Sequence, residues 1–333
     1  VIRDRRDPTR RPSTPRRDAL SRFDSIASSQ WHDVVERCHV GPTRFDYVDR
    51  PGAPLTTRGR CDAVELAAAF ADLAPIGDRD EWVTHLRGLQ DPMTGLFPDP
   101  VEGIPDDPLE MRLFAEYHQY GVLSVGYALE ALGSGPEFPV HVVEQMPDEE
   151  LVRRLDALPW TTLAWPSGSW VDFVGTATYM NRRHHGSRRG LEALFGWLQT
   201  RQDRRSGMWG RPDDSMGWLM PVNGFYRLTR GTYAQFDVAV AQPEAVIDTV
   251  IAHAREYRWF TGRGRNDERQ AGDLTAALGP AGAAKAVPGI LSAAREAGMR
   301  SLALVNGRDD ARDMRNQGVT GFMVSNDQNF MKS

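Results

Sequence analysis

The sequence contains a motif that occurs twice, and this repeat constrains the fold more than any other feature. Each copy runs from a leucine in a predicted helix through a Gln-Asp pair and a glycine to an aromatic residue. A glutamine at this place can hydrogen-bond the exposed backbone of a helix end while the aromatic ring packs over it. The repeat therefore predicts similar helix-to-loop units. The two copies are Leu86-x-x-x-Gln90-Asp91-x-x-x-Gly95-x-Phe97 and Leu198-x-x-x-Gln202-Asp203-x-x-x-Gly207-x-Trp209.

The residues around the repeat are predominantly helical in period. Strong helix formers with an apolar stripe occupy residues 63–74, and residues 113–133 predict a long helix that a glycine ends. Further helices are predicted from Asp148, within 190–202 and within 242–260. No comparable run of strands with alternating apolar and polar residues occurs there. We therefore predict that the middle of the chain is all-α.

The repeat resembles the QW motif (Gln, a short gap, Gly-x-Trp) of the α/α toroids of terpenoid cyclases and prenyltransferases. That resemblance implies an α/α toroid-like helical domain, in which the motif fastens successive helix pairs. It implies no particular reaction. A triterpene cyclase of this kind has an Asp-x-Asp-Asp acid motif, to which only Asp213-Asp214 comes near. A protein prenyltransferase needs an Asp/Cys/His zinc set that we cannot place in this sequence.

Carbohydrate-active toroids line a central cavity with Trp, Tyr, His and carboxylates, and the middle of this chain carries residues of those types. His118 is the candidate catalytic residue facing such a cavity. Core and loop packing is the alternative for the aromatic residues, and a solvated basic loop is the alternative to a metal pair for the adjacent histidines. The candidate residues are Glu116, Tyr117, His118, Trp160, Trp165, Trp170, His184 and His185.

The amino-acid composition changes near residue 263. All nine tryptophans lie between Trp31 and Trp259, and of 40 basic residues only Lys285 and Lys332 are lysines. A P-loop needs a lysine after its glycines and a Schiff-base enzyme needs a buried amine, so neither chemistry is available before Lys285. The first residues are rich in Arg, Asp, Pro, Ser and Thr, which is typical of disorder. We predict a disordered Arg-rich arm at 1–22, a helical domain at 23–262 and a separate segment at 263–333.

In the final segment, helices that end in glycine alternate with short apolar strands at 301–305 and 321–325. This is the βαβ pattern of a parallel sheet, and its length is about a quarter of a TIM barrel. The segment resembles the end of the HpcH/HpaI aldolase and citrate lyase β-chain family. Three stretches carry the resemblance: Asp273-Leu274-Thr275-Ala276-Ala277-Leu278-Gly279, Ala294-x-x-Ala297-Gly298 and Gly321-Phe322-Met323-Val324-Ser325-x-Asp327.

The second resemblance implies a metal-dependent carbon–carbon lyase of the class II aldolase type. In that family the aspartate of the first motif lies at the Mg²⁺ or Mn²⁺ that holds pyruvate or its enolate, and this metal-binding role maps onto Asp273. Such a cation polarises a 2-oxo acid without any lysine Schiff base. The family's other metal carboxylates and its catalytic arginine have no counterpart that we can place. An exposed helix N-cap is therefore the alternative role for Asp273.

The net charge and the cysteine content limit the classes of partner and the cellular compartment that we expect. The net charge is −5 and no apolar run approaches the ~18 residues of a membrane span, so we expect neither a nucleic acid nor a membrane. Cys38 and Cys61 match no disulfide or zinc pattern, which favours reduced cysteines in a cytoplasmic protein. Three functions stay open: an aldolase acting on a 2-oxo acid or aldehyde, a carbohydrate- or terpenoid-active toroid, and a non-catalytic helical binding domain. A homo-oligomer stays open as well.

Overall fold

The computed structural model describes residues 14–111, 117–213, 217–256, 302–304 and 321–323. Over these residues the chain is mainly helical, as the sequence predicts. None of the helices in this part of the chain is both long and apolar enough to cross a bilayer. The helices are α1 (Thr14–Cys38), α2 (Thr57–Ala69), α3 (Arg79–Gly88), α4 (Tyr117–Ala131), α5 (His141–Glu144), α6 (Asp148–Ala157), α7 (Ala164–His185), α8 (Leu191–Arg201), α9 (Leu219–Thr229) and α10 (Pro243–Glu256).

Two short strands follow the helices in sequence. β1 (Leu302–Leu304) and β2 (Gly321–Met323) pair in parallel, with Leu302 opposite Gly321. Both strands fall within the stretches that the sequence predicts to be strands. The helix predicted between them lies outside the described residues, so the βαβ segment as a whole stays a prediction.

The chain divides into two compact units. One comprises Val1–Val34 and Gly264–Phe330, and the other comprises Val35–Arg263 and Met331–Ser333. The predicted domain limits at 22 and 262 stay predictions. Within the predicted disordered arm, however, residues 14–22 are helical because α1 begins at Thr14. Pro15 stands in the first turn of α1, where its missing N–H removes no hydrogen bond from the helix.

Four helices of the larger unit pack one against the next. α2 contacts α4, α4 contacts α7, and α7 contacts α9. Three of these four helices also contact a further helix: α3 packs against α4, α5 against α7, and α10 against α9. Separately, α6 packs against α8. Large aromatic side chains fill the core, and burying them stabilises the fold strongly. The fully buried rings include those of Trp82, Phe97, Trp170, Phe173 and Trp209.

A π-helical turn, Arg230–Ala234, continues directly from α9, and glycines let this segment approach α7 closely. A Cβ atom at Gly168 would overlap the carbonyl oxygen of Gly224, and one at Gly175 would overlap that of Gly231. The glycines of each helix are seven residues apart, so the two backbones run in parallel. Because any side chain would separate the backbones, only glycine permits this spacing.

The two copies of the Gln-Asp motif form equivalent loops. Gln90 Nε2 donates to the carbonyl oxygen of Gly95, and Gln202 Nε2 donates to that of Gly207, both at 2.9 Å. The two glycines have φ values of 73° and 72°, in the left-handed region that favours glycine. Each glutamine therefore bonds the loop rather than the helix end that the sequence predicts. In the second copy the indole N–H of Trp209 bonds the end of α8 instead.

The two loops differ in what covers them. Gln90 also donates to the carbonyl oxygen of Phe138 and accepts from its N–H, both at 2.8 Å. The second loop is covered by α10, where the hydroxyl of Thr249 donates to the carbonyl oxygen of Ser206. The Oε1 atom of Gln202 is buried there and has no hydrogen-bond partner among the described residues. The glutamine of the first loop therefore makes more hydrogen bonds than the glutamine of the second.

Candidate active site

Charged and tyrosine side chains converge from α2, α4, α7 and the end of α9. On each helix they follow spacings of three, four or seven residues, so that each helix contributes one polar stripe. We call these residues the central cluster. It consists of Arg58, Asp62 and Glu65 on α2, Tyr120 and Tyr127 on α4, Ser169, Asp172 and Thr176 on α7, Arg227 on α9 and Arg230 in the π-helical turn.

Asp172 lies at the centre of the cluster, and its side chain is 0% exposed. Arg230 donates to the carboxylate through Nε at 3.1 Å and through a terminal nitrogen. Arg227 Nε lies 3.6 Å from the same carboxylate and donates to Ser169 Oγ at 3.1 Å. Burial raises the pKa of Asp172, and the two guanidinium groups oppose that rise. The two cations compensate a charge that would be very costly to bury alone.

Tyr120 connects the polar stripes of α2 and α9. The guanidinium carbons of Arg58 and Arg227 lie 5.0 and 5.2 Å from the centre of its ring. Both distances are within the range of cation–π attraction. Further along α4, the hydroxyl of Tyr127 lies 3.4 Å from Thr176 Oγ1, and burial raises the Tyr127 pKa to about 12. Tyr127 therefore keeps its proton at neutral pH and can donate a hydrogen bond.

Asp62 and Glu65, both on α2, have raised pKa values. Burial raises the pKa of Glu65 to about 7, and Asp62 adds to this rise while Arg58 and Arg230 oppose it. Burial also raises the pKa of Asp62, although its side chain is 49% exposed and pairs with Arg58 at 3.4 Å. The side chain of Asp62 is therefore open to solvent, and a dissolved molecule can approach it.

The central cluster has the properties of a proton-transfer site. Glu65, with a pKa of about 7, is protonated in about half of the molecules at neutral pH, which suits a general acid or base. The arginines of the cluster and the protonated Tyr127 supply hydrogen-bond donors for oxygen-rich ligands. The π-helical turn at Arg230 is an uncommon conformation that frequently occurs at functional sites. The arrangement can therefore bind a polar molecule and transfer a proton to it.

His118, the catalytic candidate from the sequence, is packed against a loop instead of an open cavity. It is 1% exposed, and its Nε2 donates to the carbonyl oxygen of Pro108 at 3.1 Å. Trp170, also 1% exposed, donates to the carbonyl oxygen of Leu109 at 2.8 Å. The loop that follows the first Gln-Asp motif folds over the starts of α4 and α7, and these two side chains hold it there. The packing alternative is therefore correct for Trp170.

His184 and His185 end α7 and do not form the solvated loop that the sequence favours. His184 Nε2 lies 3.8 Å from Glu130 Oε1, and burial lowers the pKa of both histidines. Across the described ranges, no group of three or more His, Cys, Asp or Glu side chains is arranged to hold a metal ion. The metal candidate Asp273 and the candidate Glu116 lie outside the described residues.

Sequence reasoning missed every member of the central cluster. A detectable signal does exist on α2, where Arg58, Asp62 and Glu65 recur at i, i+4 and i+7 in a helix otherwise rich in alanine. A charged stripe of this kind is usually the solvent face of a helix. Only the packing of α4, α7 and α9 around it distinguishes this stripe from a surface.

Comparison with known proteins places the chain in no family. No family model, curated protein or solved structure matches it.

Proposed function

We propose that the helical unit is an α/α toroid enzyme that acts on a carbohydrate by acid–base catalysis in the central cluster. Two findings support the toroid: α2, α4, α7 and α9 pack in succession, and two equivalent Gln-Asp loops connect helices in the manner of QW motifs. One observation carries the catalytic role. Glu65, with a pKa of about 7, is acted on by Asp62, Arg58 and Arg230 in a cluster whose side chains come from four helices, and the side chain of Asp62 is 49% exposed.

The reaction that fits this site is hydrolysis of a glycosidic bond. The carboxyl group of Glu65 gives its proton to the bridging oxygen as the bond between that oxygen and the anomeric carbon breaks. Water adds to the anomeric carbon, and the Asp62 carboxylate takes the proton that the water loses. Exchange with solvent then restores the proton on Glu65 and removes the one on Asp62. Tyr127, with a pKa of about 12, remains a hydrogen-bond donor throughout.

The polarity of the cluster favours a carbohydrate over a terpenoid. A hydrocarbon substrate gains free energy from apolar walls, whereas guanidinium and carboxylate groups lose hydration when a hydrocarbon covers them. Sugar hydroxyls can replace the lost water with hydrogen bonds to arginine donors and carboxylate acceptors. Arg58, Asp62 and Arg230 have side chains that are 31%, 49% and 25% exposed, so such donors and acceptors are accessible.

Release of reducing ends from a panel of neutral and acidic oligosaccharides tests this proposal. Glu65→Gln should lower the turnover rate at least about a hundredfold, because it removes the general acid. The dependence of the turnover rate on pH should also lose its ionisation near pH 7 in this variant. Glu130→Gln is the matched control. Glu130, on α4, is also a glutamate with a raised pKa, but it pairs with Arg183 on α7, outside the cluster.

The proposal fails if no oligosaccharide in the panel is cleaved, or if Glu65→Gln retains the wild-type rate. Saturable binding of an oligosaccharide without cleavage would support the non-catalytic helical binding domain. Because Glu65→Gln keeps the size of the side chain, a lost rate combined with retained oligosaccharide affinity separates catalysis from folding.

A metal-dependent carbon–carbon lyase remains our second proposal, for the final segment. It is supported by the parallel pairing of β1 with β2, which the proposed parallel sheet requires, and by the resemblance that places Asp273 at the metal. Bound there, Mg²⁺ or Mn²⁺ would polarise the carbonyl of a 2-oxo acid. Aldol cleavage assays with and without Mn²⁺ test this role. Turnover that needs the metal and is lost in Asp273→Asn would support it, and no turnover in either condition would refute it.

A further inference from the structure

We infer that the carbohydrate is acidic, and that Arg58 and Arg230 meet its carboxylate while its ring packs against Tyr226. This inference rests on the proposed function, because it names the substrate class of the same site. Three features support it: an exposed aromatic ring beside the cluster, the connection of that ring to the buried charges, and two accessible guanidinium groups.

Tyr226 is a large aromatic residue on α9 that is 55% exposed. Arg230 follows Tyr226 by one helical turn, and its guanidinium carbon lies 5.6 Å from the centre of the Tyr226 ring. Arg230 therefore covers part of the ring, and more than half of the residue stays open to solvent. Sugar rings present faces of C–H groups that pack on such exposed aromatic surfaces, whereas small ions gain little from them.

Arg230 connects this exposed ring to the interior of the cluster. Its guanidinium contacts the ring of Tyr226 on one side and the buried carboxylate of Asp172 on the other, with Nε at 3.1 Å from Oδ2. Its charge also acts on Glu65. A sugar that packs on Tyr226 would thus lie next to a cation that Asp172 holds in place.

The accessible cations of the cluster favour a ligand with a negative charge. The cluster holds the guanidinium groups of Arg58, Arg227 and Arg230 beside the carboxyl groups of Asp62, Glu65 and Asp172. The side chains of Arg58 and Arg230 are 31% and 25% exposed, so a ligand can reach both guanidinium groups. Guanidinium groups bind carboxylates through charge-assisted hydrogen bonds of matched geometry, which are stronger than their hydrogen bonds to uncharged hydroxyls.

Calorimetric titration with uronic acid oligosaccharides and their methyl esters tests the inference on the full chain. The probes are oligomers of glucuronate, galacturonate and mannuronate, each with a fully methyl-esterified form that keeps the ring and removes the charge. At least one acid should bind more than about tenfold more tightly than its ester, and this difference should shrink in high salt. Glu65→Gln, which cannot ionise, should retain the preference for the acid.

Two variants test the role of Tyr226. Tyr226→Ala should weaken binding of the acid and of its ester by a similar factor, about tenfold, because the ring acts on the sugar and not on the charge. Tyr179→Ala, on α7, is the matched control. Arg183 follows Tyr179 by four residues, as Arg230 follows Tyr226, and its guanidinium carbon lies 5.9 Å from the centre of the Tyr179 ring. Arg183, however, pairs with Glu130 outside the cluster. The control should leave both affinities unchanged.

The outcomes separate this inference from the proposed function. Equal binding of acid and ester, or no binding of any acid, overturns the acidic substrate even if neutral oligosaccharides are cleaved. Tight, charge-dependent binding without cleavage supports the acidic ligand and overturns the catalytic proposal. Unchanged affinity in Tyr226→Ala overturns the role of the ring.

Discussion

Glu65 holds a proton in the folded chain at pH values where the unfolded chain has released it, since its pKa rises from 4.5 to about 7 on folding. The stability that comes from this proton is complete below about pH 4.5 and is lost as the pH rises towards 7. We expect Glu65→Gln to exceed the wild type in free energy of unfolding by about 2 kcal/mol at pH 8 and by little at pH 4. Urea unfolding at both pH values measures the difference.

Glu81→Gln is the control for this prediction. Glu81 is exposed and pairs with Arg44 on the surface, so its replacement should give no gain in stability at pH 8. An equal effect of Glu65→Gln at pH 4 and pH 8 would contradict the assignment of the raised pKa to Glu65.

Asp172 should be the most sensitive position of the cluster in folding. Asp172→Asn leaves the guanidinium groups of Arg227 and Arg230, which are 7% and 25% exposed, without their buried anion. We expect a loss of about 3 to 5 kcal/mol in the free energy of unfolding, measured by urea denaturation. Arg201→Gln, which removes an ion pair that is 56% and 45% exposed, should cost less than about 1 kcal/mol. Similar losses in both variants would refute the central position of Asp172.

At the residue scale, the sequence predicted the Gln-Asp loops but not the central cluster. Gln90 and Gln202 repeat at a fixed spacing and therefore form a visible pattern. Arg58 and Arg230 are 172 positions apart, and neither belongs to a motif. His118 is a chemically reactive residue type, but the structure places its ring under a loop. Residue type indicates which chemistry is available, whereas the packing decides which residues are accessible.

At the scale of elements, the glycines between α7 and α9 control how close these helices lie. We expect Gly168→Ala to lower the free energy of unfolding by about 2 to 4 kcal/mol, because the new Cβ would overlap the backbone at Gly224. Gly196→Ala on α8 is the matched control: no atom lies within 4 Å of its added Cβ. This control should stabilise the protein by about 0.5 to 1 kcal/mol through helix propensity. Thermal and urea unfolding compare the two, and equal effects would refute the close approach.

The two Gln-Asp loops should differ in their contribution to stability. Gln90→Ala removes three hydrogen bonds and leaves the N–H and the carbonyl oxygen of Phe138 without the partner that Gln90 provides. We therefore expect the free energy of unfolding to fall by about 3 kcal/mol. Gln202→Ala removes one hydrogen bond to Gly207 together with an acceptor atom that has no partner in the described structure. Its cost should be about 1 kcal/mol. A larger loss for the second variant in urea unfolding would contradict this order.

Helix prediction succeeded for α4, α6, α8 and α10 and failed for α7 and α9. The first four helices lie within the stretches that the sequence predicts to be helical. α7 and α9 were not predicted, since their Gly, Thr, Val and aromatic residues have low helix propensity. Most residues of α7 are buried, so it has no amphipathic period to detect. Tertiary packing supplies the stability that its local sequence lacks.

At the scale of the whole molecule, the two proposed activities should be separable by mutation. Glu65 and Asp273 belong to different compact units. We expect Glu65→Gln to abolish glycoside cleavage while aldol cleavage is retained, and Asp273→Asn to do the reverse. Both assays on both variants, with circular dichroism to check folding, measure this. Loss of both activities in one variant would refute two independent sites.

The glycine contacts between α7 and the end of α9 also bear on the pH dependence of the proposed acid. They fix the distance between two backbones, one of which carries Asp172 and the other Arg230. Arg230 lowers the pKa of Glu65. If the helices moved apart, Asp172 would no longer hold the Arg230 guanidinium in place, and its effect on the pKa of Glu65 would change. Helix spacing is therefore a means by which substitutions outside the cluster could alter the pH dependence of the proposed enzyme.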